Sequence, residues 1–268
     1  MSSIILAVAP TGPSGCSPAN PISPQELHSE VRDAIDAGAS LVHMHSRDRA
    51  GALSADTSLL AQTVEMIKAE RDFLFEASTG GLSDLSAEER ARPVTIPGAE
   101  LGSLNLGSLN FSDEVYRNSV PDIRMWIETM RGHGVHPSLE VFDTSHLQFA
   151  LELIREGLLA EPHNFSFIFN VRWGMRYSCE LLDYLRDQLP PRSNWGCIFV
   201  GHSDLSMHLE AAGRGARVLR AGFEDSVQLE GRAADSNAAL IRGLAETLKQ
   251  AGYGIADVDE AREVLLGQ

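Results

Sequence analysis

The sequence predicts an α/β chain folded as a single-domain (β/α)8 barrel, the TIM-barrel architecture, on three observations. Short apolar runs and longer amphipathic stretches alternate about eight times within 268 residues. Several runs carry Ile, Val, Leu and Phe at adjacent positions, as strands covered on both faces require. The turn after the first run has no GxGxxG, which weighs against the runner-up, a doubly wound sheet.

The expected strands are residues 4–10, 40–45, 73–78, 101–106, 138–142, 165–171, 196–200 and 217–221. Ser23-Pro24-Gln25-Glu26 is a capping box with proline at the first helical position, and it opens a helix running to Gly38. Ser86-Ala87-Glu88-Glu89 is a second capping box. Further helices are expected over 57–71, 114–133, 145–159, 178–189, 204–213 and 235–252. A short extra helix over 257–266 closes the C-terminus, and no Pro/Gly/Ser linker divides the chain.

Composition excludes several classes. With 22 Lys+Arg against 37 Asp+Glu, the net charge of −15 argues against nucleic acid, which needs clustered basic residues. The apolar run at 4–10 is far too short for a membrane span or a signal segment. Three widely spaced cysteines, Cys16, Cys179 and Cys197, form no disulfide framework, so the expected setting is reduced and cytoplasmic.

In such a barrel, chemistry sits at the C-terminal strand ends. The second strand ends in Val42-His43-Met44-His45-Ser46-Arg47-Asp48. A side-chain period of two puts His43 and His45 on one face, about 7 Å apart at the backbone. They fit either one shared cation or a hydrogen-bonded pair in the core. The last strand carries Arg220, and Glu224 shares its parity. A buried Arg needs a partner, either a structural Asp or Glu or a bound anion. In a closed barrel the last strand pairs with the first and the first with the second, so Glu224 can reach an ion held by His43 and His45. Two His and one carboxylate leave positions open, the arrangement of a catalytic zinc.

Other strand-end candidates are Ser78-Thr79-Gly80-Gly81, Ser103 and Asn105 on one face of the fourth strand, and Glu140 in the fifth. The long loop opened by Pro10-Thr11-Gly12-Pro13-Ser14-Gly15 belongs with them. His28, His133, His136, His146, His163 and His208 fall in helices or at helix ends and are expected in solvent, with His202 on the surface. Trp126, Trp173 and Trp195 are expected to be packing residues.

Six ordered blocks resemble the β-keto acid cleavage enzymes. They are Ala9-Pro10-Thr11-Gly12, His43-Met44-His45-Ser46-Arg47-Asp48, Ser78-Thr79-Gly80-Gly81, Ser103-Leu104-Asn105-Leu106-Gly107-Ser108, Glu140-Val141-Phe142-Asp143 and Gly222-Phe223-Glu224-Asp225. The resemblance covers essentially the whole chain. It implies a TIM barrel with a divalent metal, normally Zn2+, held by His43, His45 and Glu224. The implied reaction takes a β-keto acid and acetyl-CoA to acetoacetate and a new acyl-CoA. It also implies Asp225 as the base, oriented and kept ionised by Arg220, and Ser78 in contact with substrate. Thr11, Ser14, Ser103, Asn105 and Glu140 are implied to line the substrate site, and a homo-oligomer, commonly a tetramer, is implied as the assembly.

Two departures from the family pattern matter. Ser14 stands where the amine-processing members carry Glu, which removes the counter-charge for an amino-substituted keto acid. After the sixth strand, Arg172 and Arg176 replace part of a Gly-rich loop; they could meet an anionic substrate or CoA phosphates, or simply rim the barrel. The alternative function is a metal-dependent lyase or hydrolase on the same barrel that needs no CoA.

Overall fold

Eight parallel strands form a closed ring in the computed structural model, which describes residues 3–13 and 15–267. They are β1 (Ser3–Val8), β2 (Leu41–Met44), β3 (Leu74–Ala77), β4 (Leu101–Asn105), β5 (His136–Val141), β6 (His163–Phe169), β7 (Ser193–Phe199) and β8 (Val218–Ala221). Each pairs with its neighbours in chain order, and β8 returns to β1 through the register Ile5↔Val218 to Val8↔Ala221. All eight expected strands are present, so the predicted barrel is the fold.

The helices wrap the outside: α1 (Pro24–Asp36), α2 (Ser58–Lys68), α3 (Ala87–Ala91), α4 (Val120–His133), α5 (Thr144–Arg155), α6 (Cys179–Arg186), α7 (Ser206–Gly213) and α8 (Asn237–Gln250). Both capping boxes form: the Glu26 N–H donates to Ser23 Oγ at 3.3 Å, and the Glu89 N–H to Ser86 Oγ at 3.2 Å. The helix expected from residue 114 begins later. Glu114–Tyr116 instead pairs antiparallel with Leu109–Phe111 as a hairpin. Ser119 caps α4, with a proline in its first turn. Glu114 and Val115 are exposed and Tyr116 is buried, so this short ribbon turns one ring inward and leaves the rest to solvent.

Strand parity divides the core. Outward residues such as Leu6, Val42, Phe75, Phe165, Phe167 and Phe199 pack against the helices in the main apolar cluster. Inward residues change character with height. At the bottom, Ile5, Leu41, Leu74 and Leu101 pack with Ala261 and Leu265 of the C-terminal helix α9 (Val258–Leu266). That helix plugs the lower end of the barrel. Asn164 and Asn194 on β6 and β7 secure it by donating to the carbonyls of Leu265 and Val264, each at 2.7 Å. The middle layer is polar, with Glu76, Ser103, Ser138, Glu140 and Arg220 all buried. The strands are therefore apolar outside, whereas their inward face is polar where the site lies.

The histidine expectation needs correction. His146 and His208 lie on helix faces turned to the barrel and are buried, and His163 is buried at the start of β6. His208 Nε2 meets the Arg220 carbonyl at 3.2 Å, and burial pulls its imidazole down to about 4. Trp126 and Trp195 pack in the core as expected, but Trp173 is 68% exposed on the barrel rim. Its indole N–H donates to the Ser112 carbonyl of the hairpin at 3.0 Å.

Candidate active site

The mouth of the barrel holds three ligand-type side chains from neighbouring staves. His43 Nε2 and His45 Nε2 lie 3.3 Å apart, with Glu224 Oε2 3.3 Å from His45 and Glu224 Oε1 3.7 Å from His43. One ligand atom from each of the three falls within 4.8 Å of the others. Backbone geometry produces this convergence. His43 and His45 share the inward face of β2, and Glu224 follows β8 where its N–H donates to the Ala9 carbonyl at 3.2 Å. The turn between β8 and Glu224 depends on Gly222, at φ 152°, where a Cβ would stand 2.2 Å from the Ala9 oxygen.

Each imidazole is also held from behind. His43 Nδ1 contacts Glu76 Oε1 at 2.7 Å, and Ser138 on β5 donates to the other Glu76 oxygen. His45 Nδ1 lies 3.2 Å from the Gly80 carbonyl. Both rings thus turn Nε2 toward the gap shared with Glu224 while the opposite nitrogen is anchored, which is how metal-ligating imidazoles are oriented. The donor set and its support fit a divalent ion such as zinc with open positions for a substrate.

Glu76 was not singled out from the sequence. The signal was available: a carboxylate in an apolar run, at inward parity with Ser78, and in register with His43 across β2 and β3. A buried Glu beside two histidines points to a supporting role.

Charge is concentrated here. Burial alone would lower His43, but the Glu224 and Glu76 carboxylates outweigh it and raise the imidazole. For His45 burial wins over Glu224, and the ring is lowered. Burial works to raise Glu224, yet His45, Arg220 and His43 hold it well below the usual carboxylate range. Arg220 donates to Asp225 from Nε at 2.9 Å and from Nη2 at 2.6 Å, and Nη2 also reaches Glu224 Oε1 at 3.1 Å. Burial outweighs that pairing at Asp225, so its carboxyl is raised overall although Arg220 pulls it down. Burial also pushes the Glu140 carboxyl up to about 7.

A cavity of about 450 Å3 opens over these groups, lined among others by Thr11, Ser78, Glu140, Arg220, Glu224 and Asp225. Thr11 also staples its loop, donating from Oγ1 to the Pro21 carbonyl at 3.1 Å. Ser78 Oγ accepts from the Gly80 N–H at 3.1 Å and lies 3.4 Å from Ser103 Oγ. Ser103 and Asn105 are buried on the inward side of β4, behind this wall and not on it. Ser14 lies outside the described residues. Arg172 is exposed on the rim, 3.4 Å from Asp113, and Arg176 is exposed beside it.

A parallel barrel carrying a His-His-Glu cluster and a buried Arg–Asp pair at its C-terminal mouth has the layout of a barrel enzyme, with a donor set of metal-ligating type. Residues 3–266 match the family model for beta-keto acid cleavage enzyme, and the chain belongs to that family. It is 33% identical over 271 residues to a 3-keto-5-aminohexanoate cleavage enzyme of Acetoanaerobium sticklandii, covering 99% of this chain and 98% of the relative. It is 31% identical over 274 residues to a 3-oxoadipate:acetyl-CoA acetyltransferase of Cupriavidus necator, covering 97% and 94%. Among solved structures, the ternary complex of ObcA with a C4-CoA adduct and oxalate superposes with a TM-score of 0.76 at 20% identity. That match covers 93% of this chain and 68% of the other, and it bears on the fold alone.

Proposed function

We propose that this chain is a zinc-dependent acyltransferase that takes a β-keto acid and acetyl-CoA to acetoacetate and a new acyl-CoA. The reading rests above all on the convergence of His43, His45 and Glu224 beside the Arg220–Asp225 pair. It is supported by relatives whose names specify keto-acid cleavage or acetyl-CoA as partner. In this reading His43, His45 and Glu224 would hold the ion, whose Lewis acidity would make C2 of the keto acid more acidic.

The protein's own groups move the protons and fix the geometry. Asp225 Oδ takes a proton from C2, a task suited to a buried carboxylate raised above its ordinary range. The C2 carbanion attacks the acetyl carbonyl, and CoA leaves as thiolate. That thiolate then adds to C3, the C2–C3 bond breaks, and Asp225 returns the proton to C2 of the departing acetoacetate. Arg220 holds Asp225 in place and offers positive charge to the oxyanions formed on the way. Glu140, neutral through much of the acidic range, can donate to a substrate oxygen, while Ser78 and Thr11 contact the bound acid. Ser103 supports Ser78 and Asn105 stands behind it; Ser14 is assigned to the substrate site from the family pattern alone. The assembly we propose is a homo-oligomer, a tetramer for preference, working in the cytoplasm. Among the described residues no helix is long and apolar enough to cross a membrane.

The test is a panel of β-keto acids assayed for acetoacetate with and without acetyl-CoA, alongside metal analysis of the wild type and His45→Ala. Acetoacetate should form only with acetyl-CoA, and the variant should lose both metal and turnover while keeping its far-UV circular dichroism. Turnover without acetyl-CoA would replace this reading with an aldolase-like lyase or a hydrolase. Full activity in a metal-free variant would end it.

A further inference from the structure

The cavity has two unlike sides. The ligand cluster and the Arg–Asp pair belong to β8, β1 and β2. In a ring of eight strands, β4, β5 and β6 stand across the mouth from them, and β7 is the neighbour of β8. From the ends of β5 and β6, Phe142, Ile168 and Val171 form a far wall of the cavity, Val200 after β7 extends it toward β8, and Phe111 of the hairpin belongs to the same cluster. Phe142, Ile168 and Val171 are 8%, 3% and 7% exposed, and this cluster is separate from the main core. Apolar side chains facing a cavity give a ligand an apolar wall to pack on.

Most of the cavity's charges are engaged with one another at the near side. Of its carboxylates, Glu224 faces the two imidazoles and Asp225 is in a two-point bond with Arg220. Glu140, raised by burial, is a poor counter-ion for an ammonium. Of its guanidiniums, Arg220 serves two carboxylates, and Arg47 follows β2 on the near side with Nη1 on the Gly51 carbonyl at 2.8 Å and its buried Nε without a partner. A charged tail laid on the far wall would lose its hydration without gaining a partner.

We infer that the keto acid taken by this site carries an uncharged alkyl tail, seated on Phe111, Phe142, Ile168, Val171 and Val200. This inference rests on the keto-acid reading above. The pantetheine arm of CoA is the rival occupant of that wall, but its two amides would meet no polar side chain there.

The experiment is calorimetric titration of the zinc-reconstituted protein, without acetyl-CoA, using 3-oxohexanoate, 3-oxoadipate and 5-amino-3-oxohexanoate. The alkyl acid should bind about 100-fold more tightly than either charged analogue. Val171→Ala should weaken the alkyl acid about 5- to 10-fold and leave 3-oxoadipate unchanged. Val200→Lys should shift the ratio of the two affinities ~10-fold toward the diacid. Equal or reversed preference in the wild type, or no binding of any of the three, overturns the inference. Variants that raise the KM for acetyl-CoA while leaving the tail preference intact overturn it too, and give the wall to pantetheine. Alkyl-selective binding together with no acyl transfer would instead uphold the tail and sink the transferase reading.

Discussion

At the residue scale, Glu140 is the side chain whose protonation should be easiest to read. Its folded carboxyl holds a proton to about 7, against 4.5 for an ordinary glutamate. The folded state therefore binds this proton more tightly than the unfolded chain does. The stability it contributes is full below pH 4.5 and is lost as pH rises through 7, on the order of 3 kcal/mol. Glu140→Gln removes the titration. Melting the metal-free protein across pH 4.5 to 8 should show the variant flatter than the wild type and relatively more stable at the alkaline end. Parallel curves would mean that Glu140 is not buried as a neutral acid. Part of this scale was legible in advance, because period-two parity puts His43 and His45 on one face; Glu224 falls in the turn after β8, so parity with Arg220 does not account for where it stands. Burial of His146 and His208 was not legible, since helix periodicity gives a face but not which face meets the barrel.

At the element scale, three staves act together. Ser138 on β5 donates to Glu76 on β3, and Glu76 holds His43 on β2. Such carboxylate–imidazole supports typically account for 10- to 100-fold in metal affinity, so Glu76→Gln should weaken zinc binding by about that factor. Competition against a chromogenic chelator would read it, with the fold checked by its melting curve. Unchanged affinity would leave Glu76 as a core hydrogen-bonding residue only. The link joins residues 43, 76 and 138, which no local pattern relates; only the strand order brings them together. The hairpin at Leu109–Tyr116 was missed for a different reason. Its three-residue strands are shorter than any window in which alternation can be separated from helical spacing.

At the scale of the whole molecule, the barrel sorts its interior by height: an apolar base plugged by α9, a polar middle and a two-sided mouth. The ring and its eight staves were legible because strand–helix alternation is a property of the entire chain. The contrast between the two sides of the mouth was not, since it depends on which strand ends face each other. Outside the barrel, Trp173 and Val115 leave apolar surface at 68% and 55% exposure on the rim. Sedimentation equilibrium on the purified chain should give a mass near four times that of one copy. A monomer across the working concentration range would refute the tetramer and leave Trp173 as a latch on its own hairpin.

The suture between the first and last strands has a consequence for how the protein matures. Beside Gly222 there is room for a hydrogen and nothing larger, so Glu224 comes into line only once the ring has shut. A chain still open at that joint presents two imidazoles and no third arm. An ion that prefers the complete trio therefore acts as a rivet, shifting the balance toward the shut ring by the margin of that preference.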